Sequence, residues 1–335
     1  METDLEQVAV DDELLDDTRR VPTVFLPNAT RSIITENDSP DIPFRYSINP
    51  YRGCEHGCAY CYARPGHETL GMNAGLDFET RILVKHDAVA LLRDELANPR
   101  WSPETISISG VTDCYQPAER EFRITRGLLE VLLEAKNPVG IVTKNALVTR
   151  DLDILAPMAS ENLIHVFVSV TTLDQELARK MEPRTSNPRA RLQAIRELSA
   201  AGVPVGVMVA PIIPGLNDRE ASAILQAAQE AGARAAGYVL LRLPYAVKAI
   251  FEDWLRRNCP LQAERVLTLI RETHGGKLNN SQWGERMRGD GPYAEMIAAA
   301  FKAFGAKLGL DKRLPPLDAS KFQPPRPKSG QMNLF

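Results

Sequence analysis

Three cysteines stand within eight positions of a 335-residue chain, at Cys54, Cys58 and Cys61, with the spacing C-x3-C-x2-C. Three thiolates can ligate three irons of a four-iron cluster, whereas an electron-transfer cluster of that type takes four thiolates. One iron is then left without a protein donor, and it can hold a small molecule through an amine and a carboxylate. The spacing therefore predicts a [4Fe-4S] cluster with one open iron.

Zinc is the alternative occupant of this motif, because a tetrahedral zinc site accepts three cysteines and one histidine. His56 and His67 are the histidines near the thiols, although no second C-x2-C or His pair follows them. The chain has five cysteines, and their clustering fits a metal site better than a disulfide framework. We therefore expect a reducing, cytoplasmic setting.

The sequence around and after the motif alternates between short apolar runs and longer helical patterns from Phe44 onward. This alternation is typical of repeated βα units that build a parallel sheet. Six strands are predicted, at residues 46–49, 105–109, 139–143, 164–170, 203–209 and 238–243. The cysteines follow the first strand, and α/β barrels carry their chemistry at the carboxyl ends of strands. The sequence thus predicts an α/β fold with the cysteines at its active edge.

Composition divides the chain into four predicted regions. Residues 1–40 are acidic and low in aromatic residues, which predicts a disordered tail. Residues 41–245 form the core, residues 246–312 a helical extension, and residues 313–335 a Pro- and Lys-rich tail. The apolar runs are too short to cross a bilayer, and the N-terminus lacks the pattern of a secretory signal. The net charge of −3 gives no general attraction to nucleic acid, and no membrane role is expected.

The cysteine spacing resembles that of the radical S-adenosylmethionine (SAM) superfamily. Four later segments are similar to one branch of it, the spore photoproduct lyase-like proteins, also described as DNA repair photolyases. These segments are residues 109–117 (SGVTDCYQP), 142–145 (VTKN), 165–169 (HVFVS) and 210–218 (APIIPGLND). The resemblance spans roughly residues 44–245.

This resemblance implies both a fold and a chemistry. The fold is a partial (β/α)6, TIM-like barrel with a helical C-terminal extension. The chemistry is reductive cleavage of SAM by a [4Fe-4S] cluster at Cys54, Cys58 and Cys61, which gives a 5′-deoxyadenosyl radical. An electron donor such as flavodoxin or ferredoxin is also implied. The cofactor carries the reaction, while the protein holds SAM and aims the radical.

Five further residues take predicted roles from the same resemblance. In the lyase-like proteins a hydroxyl and an aspartate contact the SAM amino group, and Thr112 and Asp113 match that pair. Lys144 matches the lysine that contacts the carboxylate, Ser169 the serine that reaches the ribose, and Tyr60 the aromatic near the adenine. The charges of Asp113 and Lys144 suit a ligand with one ammonium and one carboxylate. Structural alternatives are a helix cap, a surface charge and packing in a strand or core.

Position 110 departs from the lyase pattern, because a glycine stands where spore photoproduct lyases carry their hydrogen-donor cysteine. Cys114 and Tyr115 lie in the same loop and are the candidate residues for quenching a radical. A small apolar core residue is the alternative for Cys114. SAM cleavage does not depend on position 110, whereas repair of a thymine photoproduct does.

Two other segments suggest partners. Glu182 and Arg184 precede a predicted helix and can either bind a phosphate-bearing substrate or form an ion pair within their loop. The chain ends with QMNLF, and Gln331, Leu334 and Phe335 resemble the peptide by which bacterial DNA enzymes dock on the sliding clamp. Apolar anchors on a tail without a core usually fill a partner's pocket.

Together these patterns predict a cytoplasmic radical SAM enzyme that acts on DNA, by repair or modification similar to that of the lyases. Two alternatives stay open. The substrate can be RNA, a protein or a metabolite, or the chain can be a non-catalytic clamp-associated adaptor whose metal only stabilises the fold. Iron content and SAM cleavage distinguish the enzyme from the adaptor.

Overall fold

A seven-stranded sheet is the centre of the protein in the computed structural model, which describes residues 22–326. The strands of these residues are β1 (Val24–Pro27), β2 (Ile34–Glu36), β3 (Tyr46–Ile48), β4 (Tyr51–Arg52), β5 (Arg81–Val84), β6 (Ile106–Ile108), β7 (Val139–Thr143), β8 (Ile164–Ser169), β9 (Val205–Ile212) and β10 (Ala235–Leu240). The sheet has the order β10-β9-β8-β7-β6-β3-β2. Strands β3 and β6 to β10 are parallel, and β2 is antiparallel at one edge. The predicted series of six parallel strands and the α/β class are confirmed.

Strand β9 is longer than predicted, because it continues past residue 209 to Ile212. Proline usually ends pairing in a sheet, since it has no N–H to donate. Here the register between β9 and β10 shifts between the pairs Tyr238↔Val209 and Leu240↔Ile212. Pro211 lies within that shift, so the missing N–H falls where the ladder is irregular.

Helices connect the parallel strands and cover the sheet. They are Leu76–Thr80, Ala88–Ala97, Glu119–Phe122, Ile124–Glu134, Leu152–Ser160, Gln175–Met181, Pro188–Ala200 and Ala221–Glu230, with 3-10 helices at Arg64–Leu70, Ala146–Asp151 and Asp218–Glu220. The predicted apolar face of Ile124–Glu134 is buried, with Leu128, Leu129 and Leu132 inaccessible to solvent. Their three- and four-residue spacing places them on one side of the helix.

The predicted N-terminal tail is wrong for the part of it that the structure describes. Strand β1 pairs in parallel with β5, and β5 pairs antiparallel with β4, in a separate three-stranded sheet. Ile33 is fully buried, and the backbone N–H groups of Ile33 and Ile34 donate to Glu95 at 2.6 and 3.0 Å. Average composition over forty residues conceals these two short apolar segments. Residues 1–21 lie outside the description.

The C-terminal extension consists of the helices Val247–Asn258, Ala263–Glu272 and Gly291–Lys307. The first two bury apolar side chains in a second core, which also contains Cys58 and Tyr60. The extension therefore packs against the segment that carries the cysteines. Among the helices of residues 22–326, none has the length and hydropathy that a membrane span requires.

The first part of the predicted Pro- and Lys-rich tail lies against the body of the protein. The N–H of Asp318 donates to the carbonyl of Asn162, and the N–H of Gln323 donates to the carbonyl of Ala135, both at 2.9 Å. These backbone hydrogen bonds hold a segment that has little apolar surface of its own. The predicted clamp-binding peptide lies outside the described residues, which end at 326.

Candidate active site

A cavity of about 520 Å³ lies at the carboxyl ends of the parallel strands. Cys54, Cys58 and Cys61 line it, because the cysteine loop (residues 53–61) follows β3 and the short β4. Gly53 has a φ of +85°, and a Cβ there would lie 2.9 Å from the carbonyl oxygen of Phe78. Only glycine adopts that backbone conformation without strain. The turn into the cysteine loop therefore depends on a glycine.

The side chain of Arg64 binds backbone carbonyls of the cysteine loop, and Arg64 is only 1% exposed. Its guanidinium donates to the carbonyl oxygens of Gly57 at 3.1 Å and Cys58 at 2.9 and 3.0 Å. It also donates to two carbonyls farther along the chain and pairs with Glu79 at 2.6 Å. A planar guanidinium has five donors in a fixed fork, so it can fix several carbonyls at once. Arg64 thus positions the loop without touching a thiol.

Arg184 connects the same loop to a segment more than one hundred residues away. Its Nε donates to the carbonyl of Glu55, and its Nη2 pairs with Glu79. Its backbone N–H donates to the carbonyl of His56 at 3.3 Å. Glu79 therefore lies between two arginines, Arg64 and Arg184. Arg184 thus forms an ion pair, but with Glu79 of a distant segment and not within its own loop as predicted.

The two histidines near the thiols are engaged elsewhere. Nδ1 of His56 lies 3.5 Å from Oδ2 of Asp113, and its Nε2 lies 3.2 Å from Nδ2 of Asn145. Burial lowers the pKa of His56 to about 4, although Asp113 opposes the shift, so the ring is neutral near pH 7. Nε2 of His67 lies 3.0 Å from the carbonyl oxygen of Arg81. Both rings therefore have polar partners other than a metal in this structure.

The chemistry of the three thiols fits an iron–sulfur cluster. All three are free, and burial raises the pKa of each above its ordinary value. A buried thiolate needs a compensating positive charge, which bound iron provides as it displaces the thiol proton. Among the residues described as lining the cavity, no other cysteine occurs. The donor set is therefore three thiolates.

Asp113 bridges the ends of two neighbouring strands, β6 and β7. Its Oδ1 accepts from the hydroxyl of Thr143, and its Oδ2 accepts from the backbone N–H of Lys144, both at 2.7 Å. Its Oδ1 also accepts from the N–H of Tyr115 at 2.9 Å, a local turn contact. The hydroxyl of Thr112 donates to a backbone carbonyl of β4 at 3.0 Å. The carboxylate is held by three donors at the edge of the cavity.

A buried charged network orients Lys144 and Tyr60. The hydroxyl of Tyr60 donates to Glu182, whose other oxygen pairs with Arg191. Nζ of Lys144 lies 3.9 Å from Glu182 and donates to the carbonyl of Ala210 at 2.9 Å. Burial opposes ionisation of Glu182, but the charges of Arg191 and Lys144 outweigh it and lower the pKa to about 2. Glu182 is thus an anion that fixes two side chains lining the cavity.

Ser169 ends β8 and is 3% exposed. Its carbonyl accepts from Nη1 of Arg191 at 3.1 Å, so the arginine that pairs with Glu182 also holds the end of this strand. All the residues predicted to contact SAM line the same cavity as the three thiols: Tyr60, Thr112, Asp113, Lys144 and Ser169. The structure therefore brings the predicted cluster ligands and the predicted SAM contacts together.

Cys114 and Tyr115 do not line this cavity. Both are fully buried in the main core. The N–H of Cys114 donates to the hydroxyl of Ser109 at 2.7 Å, and the hydroxyl of Tyr115 donates to Asp151 at 3.1 Å. The chain turns inward after the cavity-lining residue Asp113, which accounts for their position. Their predicted role in radical quenching does not fit this placement, whereas the core alternative does.

Three positioning residues were missed or only partly recognised from the sequence. Arg64 has no local pattern that distinguishes it from a surface arginine, and Arg191 lies in the helix Pro188–Ala200 like any other charged residue. Glu182 was recognised as half of a candidate ion pair, but its true partner is Arg191. Proximity to the cysteines was the only available signal for Arg64.

Comparison with known proteins agrees with this site. The sequence profile described as the radical SAM superfamily matches residues 48–228. Uncharacterised proteins of Mycobacterium bovis and Mycobacterium tuberculosis are 40% identical over 232 residues, which are 69% of this chain and 68% of theirs. An uncharacterised protein of Methanocaldococcus jannaschii is 30% identical over 176 residues, 52% of this chain and 63% of that protein.

Solved structures of spore photoproduct lyase have a similar fold. One variant of that enzyme gives a TM-score of 0.62 at 18% identity, over 85% of this chain and 79% of its own. A complex with dinucleoside spore photoproduct gives 0.61 at 17% identity, with the same coverage. This likeness supports the predicted barrel-type α/β fold. Because the superfamily profile covers more than half of the 335 residues, the chain belongs to the radical SAM superfamily and is an enzyme of that class.

Proposed function

We propose that this radical SAM enzyme holds a [4Fe-4S] cluster at Cys54, Cys58 and Cys61, binds SAM beside it, and acts on DNA. The observation that carries the proposal is the presence of three thiols and five predicted SAM contacts in one cavity. When bound and reduced, such a cluster supplies the electron that splits SAM into methionine and a 5′-deoxyadenosyl radical. The protein must hold SAM in one orientation and keep water away from the radical.

The charges of the cavity suit SAM. Asp113 offers a carboxylate to the ammonium of the methionine moiety, and Lys144 offers an ammonium to its carboxylate. Both are fixed before any ligand binds, because Asp113 accepts from three donors and Lys144 is held near Glu182. Little side-chain freedom is then lost on binding, which favours affinity. Tyr60 and Ser169 remain for the adenosine moiety.

DNA is proposed as the substrate on two grounds. The segments 109–117 and 210–218 resemble the lyase-like branch, and the fold is similar to that of a lyase solved with dinucleoside spore photoproduct. Gly110 and the buried Cys114 mean that no cysteine of this loop faces the cavity. We therefore propose that the radical takes a hydrogen atom from a nucleotide carbon, giving 5′-deoxyadenosine and a nucleotide radical, and that the hydrogen donor of the lyases is not used.

An isotope experiment tests the proposal. Anaerobic reconstitution should give about four irons per chain, and dithionite with SAM should release 5′-deoxyadenosine. With DNA deuterated at the carbons of all four nucleosides, deuterium should appear in the 5′-deoxyadenosine. Deuterium-free product in the presence of that DNA would reject DNA as the hydrogen source, while iron content and SAM cleavage would still establish the radical chemistry. Parallel reactions with deuterated RNA distinguish the nearest alternative.

A further inference from the structure

Two arginines, Arg242 and Arg286, also line the cavity. Arg286 is neutralised, because its Nε pairs with Asp41 and its Nη2 donates to the hydroxyl of Ser39. The second oxygen of Asp41 accepts from the N–H of Gly284 at 2.7 Å. Arg286 therefore fastens the loop that contains Asp41 to the loop that contains Gly284. The charge of Arg286 is therefore already compensated by Asp41.

Arg242 has no such partner. Its Nη1 lies 3.6 Å from the sulfur of Met287, and its Cζ lies 5.2 Å from the centre of the Tyr62 ring. Within residues 22–326 it forms no salt bridge, since the nearby carboxylate of Asp41 is held by Arg286 and Gly284. Burial and then repulsion from Arg286 lower the pKa of Arg242, while Tyr62 and Asp41 oppose the shift.

An uncompensated guanidinium in a cavity wall is costly unless a ligand supplies the missing anion. The thioether of Met287 is a weak acceptor, and among residues 22–326 no other hydrogen-bond partner faces the five N–H donors of Arg242. The Tyr62 ring supports the guanidinium by a cation–π contact and restricts its orientation. A planar fork held in this way matches the oxygens of a phosphate.

SAM has a separate pair of charged partners. Asp113 and Lys144 follow β6 and β7 inside the sheet, whereas Arg242 follows β10, which is an edge strand. Three strands separate the end of β6 from that of β10, in the order β7, β8, β9. The carboxylate of SAM is therefore matched by Lys144, and the anion that Arg242 lacks belongs to the other reactant.

We propose that Arg242, supported by Tyr62, is the anchor for a phosphodiester of the nucleic-acid substrate. This inference rests on the proposed function and adds a specific contact to it. One bound phosphate adjacent to the reacting nucleotide would set which carbon of that nucleotide approaches SAM. Such positioning is how a binding contact away from the reacting atoms controls the site of reaction.

The test compares a charged with an uncharged backbone. Holoenzyme is titrated anaerobically with a short single-stranded oligothymidylate and with its methylphosphonate counterpart, and binding is followed by fluorescence anisotropy. Arg242→Gln should weaken binding of the phosphodiester oligomer about tenfold or more, because it removes a charge-assisted contact. The loss should be at least tenfold smaller for the methylphosphonate oligomer and for SAM. Arg242→Lys should fall between the wild type and Arg242→Gln.

Arg196→Gln is the matched control, because Arg196 is exposed on the helix Pro188–Ala200 and does not line the cavity. It should bind both oligomers like the wild type. Equal losses for the two oligomers, or a loss confined to SAM, would overturn the assignment of Arg242 while leaving DNA as the substrate. A wild-type enzyme that cleaves SAM but binds neither oligomer would overturn both proposals. Urea midpoints of the variants show that folding is unchanged.

Discussion

The two sides of the cavity are held by different kinds of interaction. On the side of the cysteine loop, Arg64 and Arg191 are each 1% exposed and pair with the carboxylates of Glu79 and Glu182. The other side is called the rim and consists of Asp41, Arg242 and Arg286. There the Asp41–Arg286 ion pair joins two loops, and Arg242 has no carboxylate partner among residues 22–326. The first side is fixed before any ligand binds.

This difference has a physical consequence. Breaking a buried ion pair leaves an uncompensated charge in a poorly solvated place, which is strongly destabilising. The Asp41–Arg286 pair is more open to solvent at its arginine, which is 16% exposed, and regions that admit ligands are drawn from the less stable parts of a protein. The structure therefore suggests a rigid side for the cofactors and an adjustable rim for the substrate. The predictions below test that contrast.

The largest effect is expected at the thiols. Cys58→Ala removes one of three cluster ligands, and 5′-deoxyadenosine formation should fall at least about a hundredfold. Cys259→Ala is the control, because Cys259 is a free, partly buried cysteine that does not line the cavity. Iron content and dithionite-driven SAM cleavage are measured on both. Full activity of Cys58→Ala would refute the assignment of the cluster.

The second largest effect is expected for Arg64→Met, and it is a loss of stability. The loss of Arg64 leaves several backbone carbonyls without their buried donor, and we expect about 4 kcal/mol in the free energy of unfolding. Arg196→Met, at an exposed position, should change it by no more than about 0.5 kcal/mol. Urea denaturation under anaerobic conditions gives both values. Similar stabilities of the two variants would mean that the cysteine side is not rigid in the sense proposed.

Glu182 gives the cysteine side a characteristic acid dependence. Its folded pKa of about 2 lies below the ordinary value of 4.5, so between these pH values the unfolded chain binds a proton that the folded chain does not. The stabilisation is therefore present above pH 4.5 and is lost as the pH falls toward 2, by about 3 kcal/mol in all.

Glu182→Gln should remove that slope and lower stability at neutral pH, because Arg191 loses its partner. Glu264→Gln, at an exposed position, should keep the wild-type profile. Urea denaturation at several pH values between 6 and 2 distinguishes the two. A variant that retains the full slope would show that another group causes the acid dependence.

The rim should respond weakly to the corresponding change. Asp41→Asn breaks the pair with Arg286, and we expect only a small change in the urea midpoint, because the Arg286 side chain is 16% exposed and water can replace the lost partner. Limited proteolysis within residues 282–289 should become faster. Asp311→Asn, at an exposed site, should leave that rate unchanged. A large loss of stability in Asp41→Asn would remove the contrast between the two sides.

The smallest effect on the enzyme itself is expected at the C-terminus. We propose that Gln331, Leu334 and Phe335 dock on a bacterial sliding clamp. Removing the last two residues should leave SAM cleavage as in the intact chain and abolish binding of purified clamp in surface plasmon resonance. A peptide of residues 322–335 should compete for the intact chain. Unchanged clamp binding after truncation would disprove the docking.

The parallel strands of the sheet were predictable because several of them are mainly apolar runs between helical patterns, as in residues 139–143 and 164–170. The cysteine loop was predictable because three thiols occur close together in the chain. The errors arose where a short segment takes its structure from distant partners: β1 pairs with β5, and Asp318 bonds to Asn162. Composition of the segment alone does not contain that information.

The sequence by itself determined the six parallel strands, the spacing of the thiols and the charges that suit SAM. Only the tertiary structure decided that Cys114 enters the core, that Glu182 pairs with Arg191, and that Arg242 is left without an anion. The reason is one of distance along the chain. Periodicity and spacing describe neighbours, whereas a buried charge is stabilised by whatever the fold brings to it, as when Tyr60 meets a carboxylate 122 residues away.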